Sequence, residues 1–201
     1  MFMKKAAMFG LDARIALAIF GALSVISGAA LYSAIQQAKA TSFITEMREI
    51  AKAWEQYYLD TGVSLAQHSS DSSNIGGFHR LKTNHLVSDS GVSGWNGPYL
   101  SYKPNTSSEL LYHNTYGDIY IFLLNSAAGW NSWSSGYCKS GESCFNWVLV
   151  NGIGSDSLAK SMDAILDDSD GFQNGDFRWR NYNTGVWEYY LKVMPTKNPR
   201  D

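Results

Sequence analysis

The chain has 201 residues, with 16 basic and 18 acidic side chains and a formal net charge of −2. A chain this close to neutral has no electrostatic basis for a nucleic-acid partner, and beyond an N-terminal segment it has room for one domain of ordinary size. Seven Trp, twelve Tyr and eighteen Gly indicate a turn-rich aromatic domain with much β structure.

The N-terminal part contains an uncharged run, Ile15–Ala38, which reads IALAIFGALSVISGAALYSAIQQA. An α-helix rises about 1.5 Å per residue, so a helix of this length crosses the hydrocarbon core of a bilayer, which is about 30 Å thick. Lys4 and Lys5 precede the run, and positive charge favours the cytoplasmic side. The sequence therefore predicts a transmembrane helix over about 15–38, with a cytoplasmic N-terminus and the rest of the chain outside. A cleaved secretory signal peptide and an uncleaved signal anchor are the alternatives.

The helical pattern continues beyond this run with a different face. Apolar side chains recur at alternating four- and three-residue steps, at Phe43, Met47, Ile50, Trp54 and Tyr57. This spacing is typical of an amphipathic helix, and no Gly or Pro occurs between Ala29 and Thr61. We therefore expect one long helix over 8–61, apolar in its first half and amphipathic in its second.

Asp12 and Arg14 lie at the start of the apolar run, where charged side chains are costly unless they are paired or lie at the interface. Gly21 follows Asp12 by nine residues. The segment Met8–Ala29, MFGLDARIALAIFGALSVISGA, resembles the N-terminus of type IV pilins and type II secretion pseudopilins. In that family a prepilin peptidase removes a short basic leader, and the mature chain has an acidic fifth residue with a glycine nine residues later.

The resemblance implies that residues 1–7, MFMKKAA, are the leader and that the cut falls between Ala7 and Met8. Met8 would then carry the N-methyl group, and Asp12 would be the filament-assembly carboxylate. In a filament this carboxylate can be offset by the methylated amine of the neighbouring subunit. An N-cap at the membrane interface is the alternative role for Asp12.

A second cleavage register remains open, between Gly10 and Leu11. It places glycine before the cut, as the family usually does, but it leaves apolar Ile15 at the acidic position. The family usually has Gly, Phe and Glu where the preferred register has Ala7, Met8 and Asp12.

The resemblance further implies a structural subunit and not an enzyme. Before assembly the protein would span the bacterial inner membrane once, with its head in the periplasm, and would then join a periplasmic or cell-surface filament. Its implied partners are copies of itself, other pilin-like subunits, prepilin peptidase, the inner-membrane assembly platform and, before assembly, the lipid bilayer. Type IV pilus and secretion pseudopilus, and major and minor subunit, remain open.

Residues 62–201 are expected to form the globular head. Gly94–Tyr102, GWNGPYLSY, is similar to the Trp-Gly-Pro-Tyr stretch of major pseudopilins between the long helix and the sheet. Apolar runs predict strands, and a capped amphipathic segment, Ser155–Asp167, predicts a helix between the last two of them. The predicted strands are Tyr116–Asn125, Phe145–Val150 and Trp187–Val193. The predicted fold class is α+β and pilin-like, with the long helix packed on a small antiparallel sheet.

Cys138 and Cys144 lie six residues apart around Ser-Gly. Such a pair can close a small loop, and an exported chain meets an oxidising compartment, so we expect a disulfide. Metal binding lacks further ligands nearby, and a redox motif would have the shorter C-x-x-C spacing.

The stretch DDSDGFQNGDFRW contains the candidate ligands of a calcium ion. Its clustered hard oxygens belong to Asp167, Asp168, Asp170, Asn174 and Asp176. The spacing does not match an EF-hand, and major pseudopilins as a family bind calcium in a C-terminal loop. A solvated β-turn is the alternative, because Asp and Gly also favour turns through their backbone preferences. Calcium is the one cofactor that the sequence suggests.

The sequence contains no H-E-x-x-H, no G-x-S-x-G and no phosphate-binding loop motif. Its four histidines are scattered through loop-like sequence, where surface or partly packed positions are expected. An alternative function is a single-pass membrane-anchored binding module whose Trp-rich extracytoplasmic domain holds a ligand such as a polysaccharide. Trp54 and Trp147 lie in patterns that indicate buried side chains instead.

Overall fold

A computed structural model describes residues 3–105, 107–127, 129–130 and 133–201, and the side chains of all of these except 3–9, 11 and 133. The chain divides into two units, Met1–Lys39 and Ala40–Asp201. The first helix, α1, covers Met3–Thr61 and contributes residues to both units. The predicted long helix is present and ends at Thr61.

The part of α1 that belongs to the second unit, residues 40–61, packs into the core of that unit. Its predicted apolar stripe is confirmed, with exposed fractions of 7% or less at Phe43, Met47, Ile50, Trp54 and Tyr57. A hydrogen bond adds to this packing, since Glu46 Oε2 on α1 lies 2.8 Å from His113 Nε2 on the sheet. Burial of this stripe is the main stabilisation of residues 40–61 as a helix.

Among the described residues, six strands form one antiparallel sheet in the order β1-β2-β3-β4-β6-β5. In chain order the strands cover Lys103–Asn105, Leu110–His113, Gly117–Leu124, Cys144–Ile153, Phe177–Asn183 and Val186–Thr196. Shorter helical elements are α2 (Ile75–His79), a 3-10 turn (Thr83–Leu86), α3 (Trp133–Gly136) and α4 (Ser157–Leu166). The fold class is therefore α+β, with a long N-terminal apolar helix and a small antiparallel sheet.

The central strands β3 and β4 are buried on both faces of the sheet. Ile121 and Val148, which pair across the two strands, pack with α1 on one face. Phe122 and Trp147, the next pair, pack on the opposite face. Because alternate residues of a strand point to opposite faces, burial of both faces requires the uninterrupted apolar runs that the sequence shows here.

The face of the sheet opposite α1 is covered by residues that lie between β3 and β4 and include Trp130 and Tyr137; we call them the covering segment. Trp130 and Tyr137 are each 8% exposed, and the centroid of the Trp130 ring lies 4.6 Å from that of Trp147. The predicted disulfide follows directly, joining Cys138 to Cys144 at the start of β4, with Cα atoms 5.7 Å apart. The covalent bond thus closes the loop that leads from the covering segment into β4.

The three predicted strands are confirmed as β3, β4 and β6, and the predicted helix is α4. As predicted, α4 lies between β4 and β6, but the strand β5, which follows α4, is absent from the prediction. The short strands β1 and β2 are also absent from the prediction. β5 lies at the edge of the sheet and reads FRWRNYN, a mixture of aromatic and polar residues without the continuous apolar run that predicted β3 and β4.

Candidate functional site

The acidic loop, which we define as Asp167–Asp176, connects the end of α4 to β5. Asp163, in the last turn of α4, lies beside it. Carboxylate oxygens of Asp163, Asp167 and Asp170 lie within 4.8 Å of one another. Among the residues that the structure describes, this is the one group of three or more His, Cys, Asp or Glu side chains close enough to share a metal ion.

Asp163 is the most deeply buried of the three carboxylates, with 3% of its surface exposed. Its Oδ2 accepts a hydrogen bond from the Gly171 N–H at 3.2 Å, but its Oδ1 has no donor among the described residues. Asp167 Oδ2 accepts from the Phe177 N–H at 2.6 Å. A buried carboxylate oxygen without a donor is costly, and a bound cation would remove that cost.

The pKa shifts of this group of carboxylates also favour a bound cation. Burial raises the pKa of Asp163, and the nearby carboxylates of Asp170 and Asp167 raise it further. Burial also raises the pKa of Asp167, again with a contribution from Asp170. The nearby carboxylates, Asp170 and Asp167 among them, interact electrostatically with the Arg178 guanidinium. That guanidinium, however, donates its hydrogen bonds to the carbonyls of Ala127 and Ser126, at 2.6 and 3.0 Å. The group therefore carries more negative charge than its surroundings offset.

The five predicted ligands do not all come together. Asp167 and Asp170 belong to the group, whereas Asp168 is exposed and lies outside it. Asn174 donates its side-chain N–H to the Asp170 carbonyl at 2.9 Å, and Asp176 is paired with Lys192. Sequence reasoning missed Asp163, although a carboxylate four residues before Asp167 on a helix is the spacing that places two side chains on one face.

The residues present fit a calcium ion. Calcium takes six to eight oxygen ligands, and carboxylates with backbone carbonyls are its usual protein donors. Gly175 keeps space between two of the carboxylates, because a Cβ there would lie 2.5 Å from Asp167 Oδ2 and 2.8 Å from Asp170 Oδ2. Asp163, Asp167 and Asp170 would hold the ion, and it would supply the positive charge that the loop lacks.

We predict that calcium stabilises the chain and that Asp163→Asn removes the effect. At a free calcium concentration a hundredfold above Kd, binding adds about 2.7 kcal/mol to the free energy of unfolding. Burial raises the folded-state pKa values of Asp163 and Asp167. Without calcium, the stability that these two side chains contribute is therefore lost as the pH rises through their folded-state pKa values. The increase in the free energy of unfolding that calcium produces therefore becomes larger as the pH rises over the same range.

Thermal unfolding of the full chain in detergent, with calcium or with a chelator, checks this prediction. Asp168→Asn is the matched control, since it removes an acidic side chain of the same loop that lies outside the group. An equal melting temperature with calcium and with chelator would show that the loop is a solvated turn.

The N-terminal unit carries a second candidate site, the apolar surface of α1. Many of its large apolar side chains are more than half exposed, including Leu17, Phe20, Val25, Ile26 and Leu31. Over Asp12–Thr61 the described chain has one helix long and apolar enough to cross a membrane, by length and composition. Its most apolar window has no buried residue. The described residues leave this surface exposed, and an exposed apolar surface of this kind is typical of a membrane or protein contact.

Asp12 is exposed at the start of this surface. The predicted cleavage and N-methylation site falls on Ala7 and Met8, whose side chains lie outside the described residues. Of the predicted leader, Met1 and Phe2 lie outside them altogether. Leader removal therefore stays a prediction from the sequence.

The histidines lie in three different settings. His79 is fully buried, contrary to expectation, and its Nδ1 and Nε2 lie 2.9 and 3.2 Å from the carbonyls of Ile75 and Cys138. Burial lowers the pKa of His79, and its ring stacks on Tyr137. His68 and His113 pair with glutamates, and His85 is half-buried. The acidic group contains no histidine.

Two features of the described chain therefore have the geometry of a functional site: the acidic loop and the uncovered apolar surface of α1. Comparison of the chain with protein-family models, with curated proteins and with solved structures finds no match.

Proposed function

We propose that this protein is a structural subunit that polymerises through its N-terminal helix into a type IV pilus or a type II secretion pseudopilus. The observation that carries the proposal is the uncovered apolar surface of α1, with the single acidic residue Asp12 at its start. In the membrane this surface contacts lipid. After leader removal it contacts the same helix of neighbouring subunits.

The glycines of the apolar segment support helix-to-helix contact. A Cβ added at Gly21 or Gly28 would meet no described atom within 4 Å beyond the neighbouring residues and the backbone of the helix itself, so contacts within the subunit do not require glycine there. A glycine inside a helix costs about 0.5–1 kcal/mol relative to alanine. Small residues let apolar helices approach closely within a membrane or a bundle, which gives these glycines a use between subunits.

Asp12 has a defined part in this proposal. Removal of the leader creates a free amine at Met8, and the Asp12 carboxylate of one subunit pairs with the amine of the next. Since both groups lie in an apolar bundle, each is stable only with the other, and the pair sets the axial register of the filament.

The position of the Gly94–Tyr102 stretch in the head also supports the proposal of a filament subunit. Gly94 (φ +88) lies directly against the C-terminal end of α1, because a Cβ there would lie 2.3 Å from the Asp60 carbonyl oxygen. Trp95 Nε1 donates to the His85 carbonyl at 2.9 Å. The GWNGPYLSY stretch thus joins the end of the helix to the head, which is where the resembling stretch of major pseudopilins lies. The resemblance of the sequence to this family implies the partners and the cellular location, which are the inner membrane with its assembly platform and then a periplasmic or surface filament.

Co-expression with a prepilin peptidase tests the proposal. We expect the peptidase to shorten the chain and the mature N-terminus to be Met8 with one added methyl group, as measured by intact mass. Ala7→Glu is expected to block the cut, because a charged side chain replaces the small residue at the scissile bond. Ala7→Gly, which restores the family's usual residue, is the matched control and is expected to be processed.

A chain that keeps Met1 in the presence of active peptidase would contradict the proposal. A mature chain beginning at Leu11 would support processing but would move the cleavage register, and the role of Asp12 would then be lost.

A further inference from the structure

We propose that the head binds a neutral oligosaccharide in a cleft beside the edge strand β5. The cleft has a volume of about 450 Å³. It is bounded by the start of α4 at Asp156 and Lys160, by the acidic loop at Phe172 and Gln173, and by β5 and β6. All of these residues belong to the second unit, Ala40–Asp201, so the inference does not rest on filament assembly.

Aromatic rings form much of the lining of this cleft. They belong to Trp130, Phe172, Trp179 and Trp187. Phe172 is 52% exposed although it is a large apolar side chain, and its ring makes an angle of 61° with that of Trp179 at a centroid distance of 6.2 Å. Trp179 is 6% exposed and Trp130 is 8% exposed, so the accessible aromatic surface of the cleft comes from Phe172 and from the partly buried Trp187. The C–H faces of sugar rings stack on exposed aromatic rings. Water forms only weak interactions with the same aromatic faces, so a sugar can displace it at little cost.

Polar side chains lie between the rings. Gln173 and Asn181 supply amide groups, which can both donate and accept hydrogen bonds. A sugar hydroxyl likewise donates and accepts, so amides beside aromatic rings match the two kinds of surface that a saccharide presents.

The charges of the cleft favour a neutral ligand. Lys160 Nζ lies 2.7 Å from the Asp156 carboxylate, and Arg180 Nε lies 2.6 Å from the carboxylate of Glu188. Each cation in the lining therefore has a carboxylate partner. A phosphate or sulfate group would have to compete with these carboxylates, so an anionic ligand gains little here.

The backbone of β5 argues against an added peptide strand. An edge strand can bind an extended peptide when its N–H groups are unpaired. Here the Phe177 N–H donates to Asp167 Oδ2 at 2.6 Å and the Trp179 N–H donates to the Phe172 carbonyl at 3.2 Å. The acidic loop thus occupies the first part of this edge, at Phe177 and Trp179, which shortens the stretch that a peptide could pair with and favours recognition by side chains.

Isothermal titration of the full chain with chitotetraose, cellotetraose and maltotetraose tests the proposal. The protein is kept in lauryldimethylamine oxide micelles, because detergents with sugar headgroups would compete for the cleft. We expect saturable binding of at least one of the three, with a Kd of about 1 mM or tighter.

Phe172→Ala is expected to weaken this binding by about tenfold or more, which corresponds to about 1.4 kcal/mol. Phe172 is half-exposed, so its removal leaves the core intact, and circular dichroism verifies the fold. Tyr112→Ala is the matched control: Tyr112 is 43% exposed on β2, which β3, β4 and β6 separate from β5. We expect it to leave the affinity unchanged.

Three results would overturn the proposal. They are the absence of saturable binding with all three oligosaccharides, an equal loss of affinity in Phe172→Ala and Tyr112→Ala, and tighter binding of dextran sulfate than of any neutral probe.

Discussion

Asp12→Ala is expected to abolish filament assembly while leaving the protein in the membrane. The substitution removes one partner of a proposed ion pair in an apolar bundle and leaves the methylated amine of the neighbouring subunit unpaired. Breaking a buried pair in this way costs about 3–5 kcal/mol, and the cost recurs at every subunit. The yield of filaments sheared from cells that carry the assembly platform measures the effect, and an immunoblot of membranes verifies that the variant accumulates.

Two matched variants separate charge from size at this position. Asp12→Glu keeps the carboxylate and adds one methylene group, so we expect filaments close to the unsubstituted yield. Asp12→Asn keeps the volume and loses the charge, so we expect a defect close to that of alanine. Normal filament yield from Asp12→Ala would instead fit an interfacial N-cap, whose loss costs only about 1 kcal/mol of helix stability.

Trp147→Ala is expected to lower the free energy of unfolding by about 3–5 kcal/mol, a large share of the stability of a typical domain. Trp147 is fully buried at the centre of the sheet face opposite α1. Its ring contacts Trp130, and the Arg178 guanidinium lies 5.0 Å from its centroid. Truncation removes these contacts and leaves a cavity beneath the covering segment. Denaturant unfolding in detergent, followed by circular dichroism, measures the loss.

Trp147→Phe is the matched control for that prediction. The Trp147 indole N–H has no acceptor among the described residues, so phenylalanine removes an unpaired donor and leaves a smaller void. We expect a loss of about 1–2 kcal/mol. If alanine costs no more than phenylalanine, the covering segment closes over the site and the cluster around Trp147 is not a rigid core.

Elements with a strong local signal were predictable because one short-range pattern specifies each of them. The stripe from Phe43 to Tyr57 requires a helix with one buried face, and the apolar runs of β3 and β4 require strands buried on both faces. The pairing of Cys138 with Cys144 needed only their proximity in the chain and an oxidising compartment.

Features that depend on contacts between residues distant in the chain could not be predicted from a local sequence pattern. The strand β5 mixes polar and aromatic residues without an apolar run, and it is a strand because β6 pairs with it along one edge. His79 lies in loop-like sequence, but residues distant in the chain bury it, among them Tyr137 and Cys138. Its burial could not be inferred from the residues beside it.

The sequence by itself determined the long helix with its apolar and amphipathic halves, the α+β class and the disulfide. The helix and the strands follow from short-range patterns of apolar residues, and the disulfide follows from the six-residue spacing of its cysteines. Only the tertiary structure decided which acidic residues form a group and which rings line a cleft. Asp163 joins Asp167 and Asp170 because the acidic loop turns back on the end of α4, and Phe172 meets Trp179 because the same loop covers the edge of β5. Distances of this kind depend on the path of the whole chain, which local preferences do not specify.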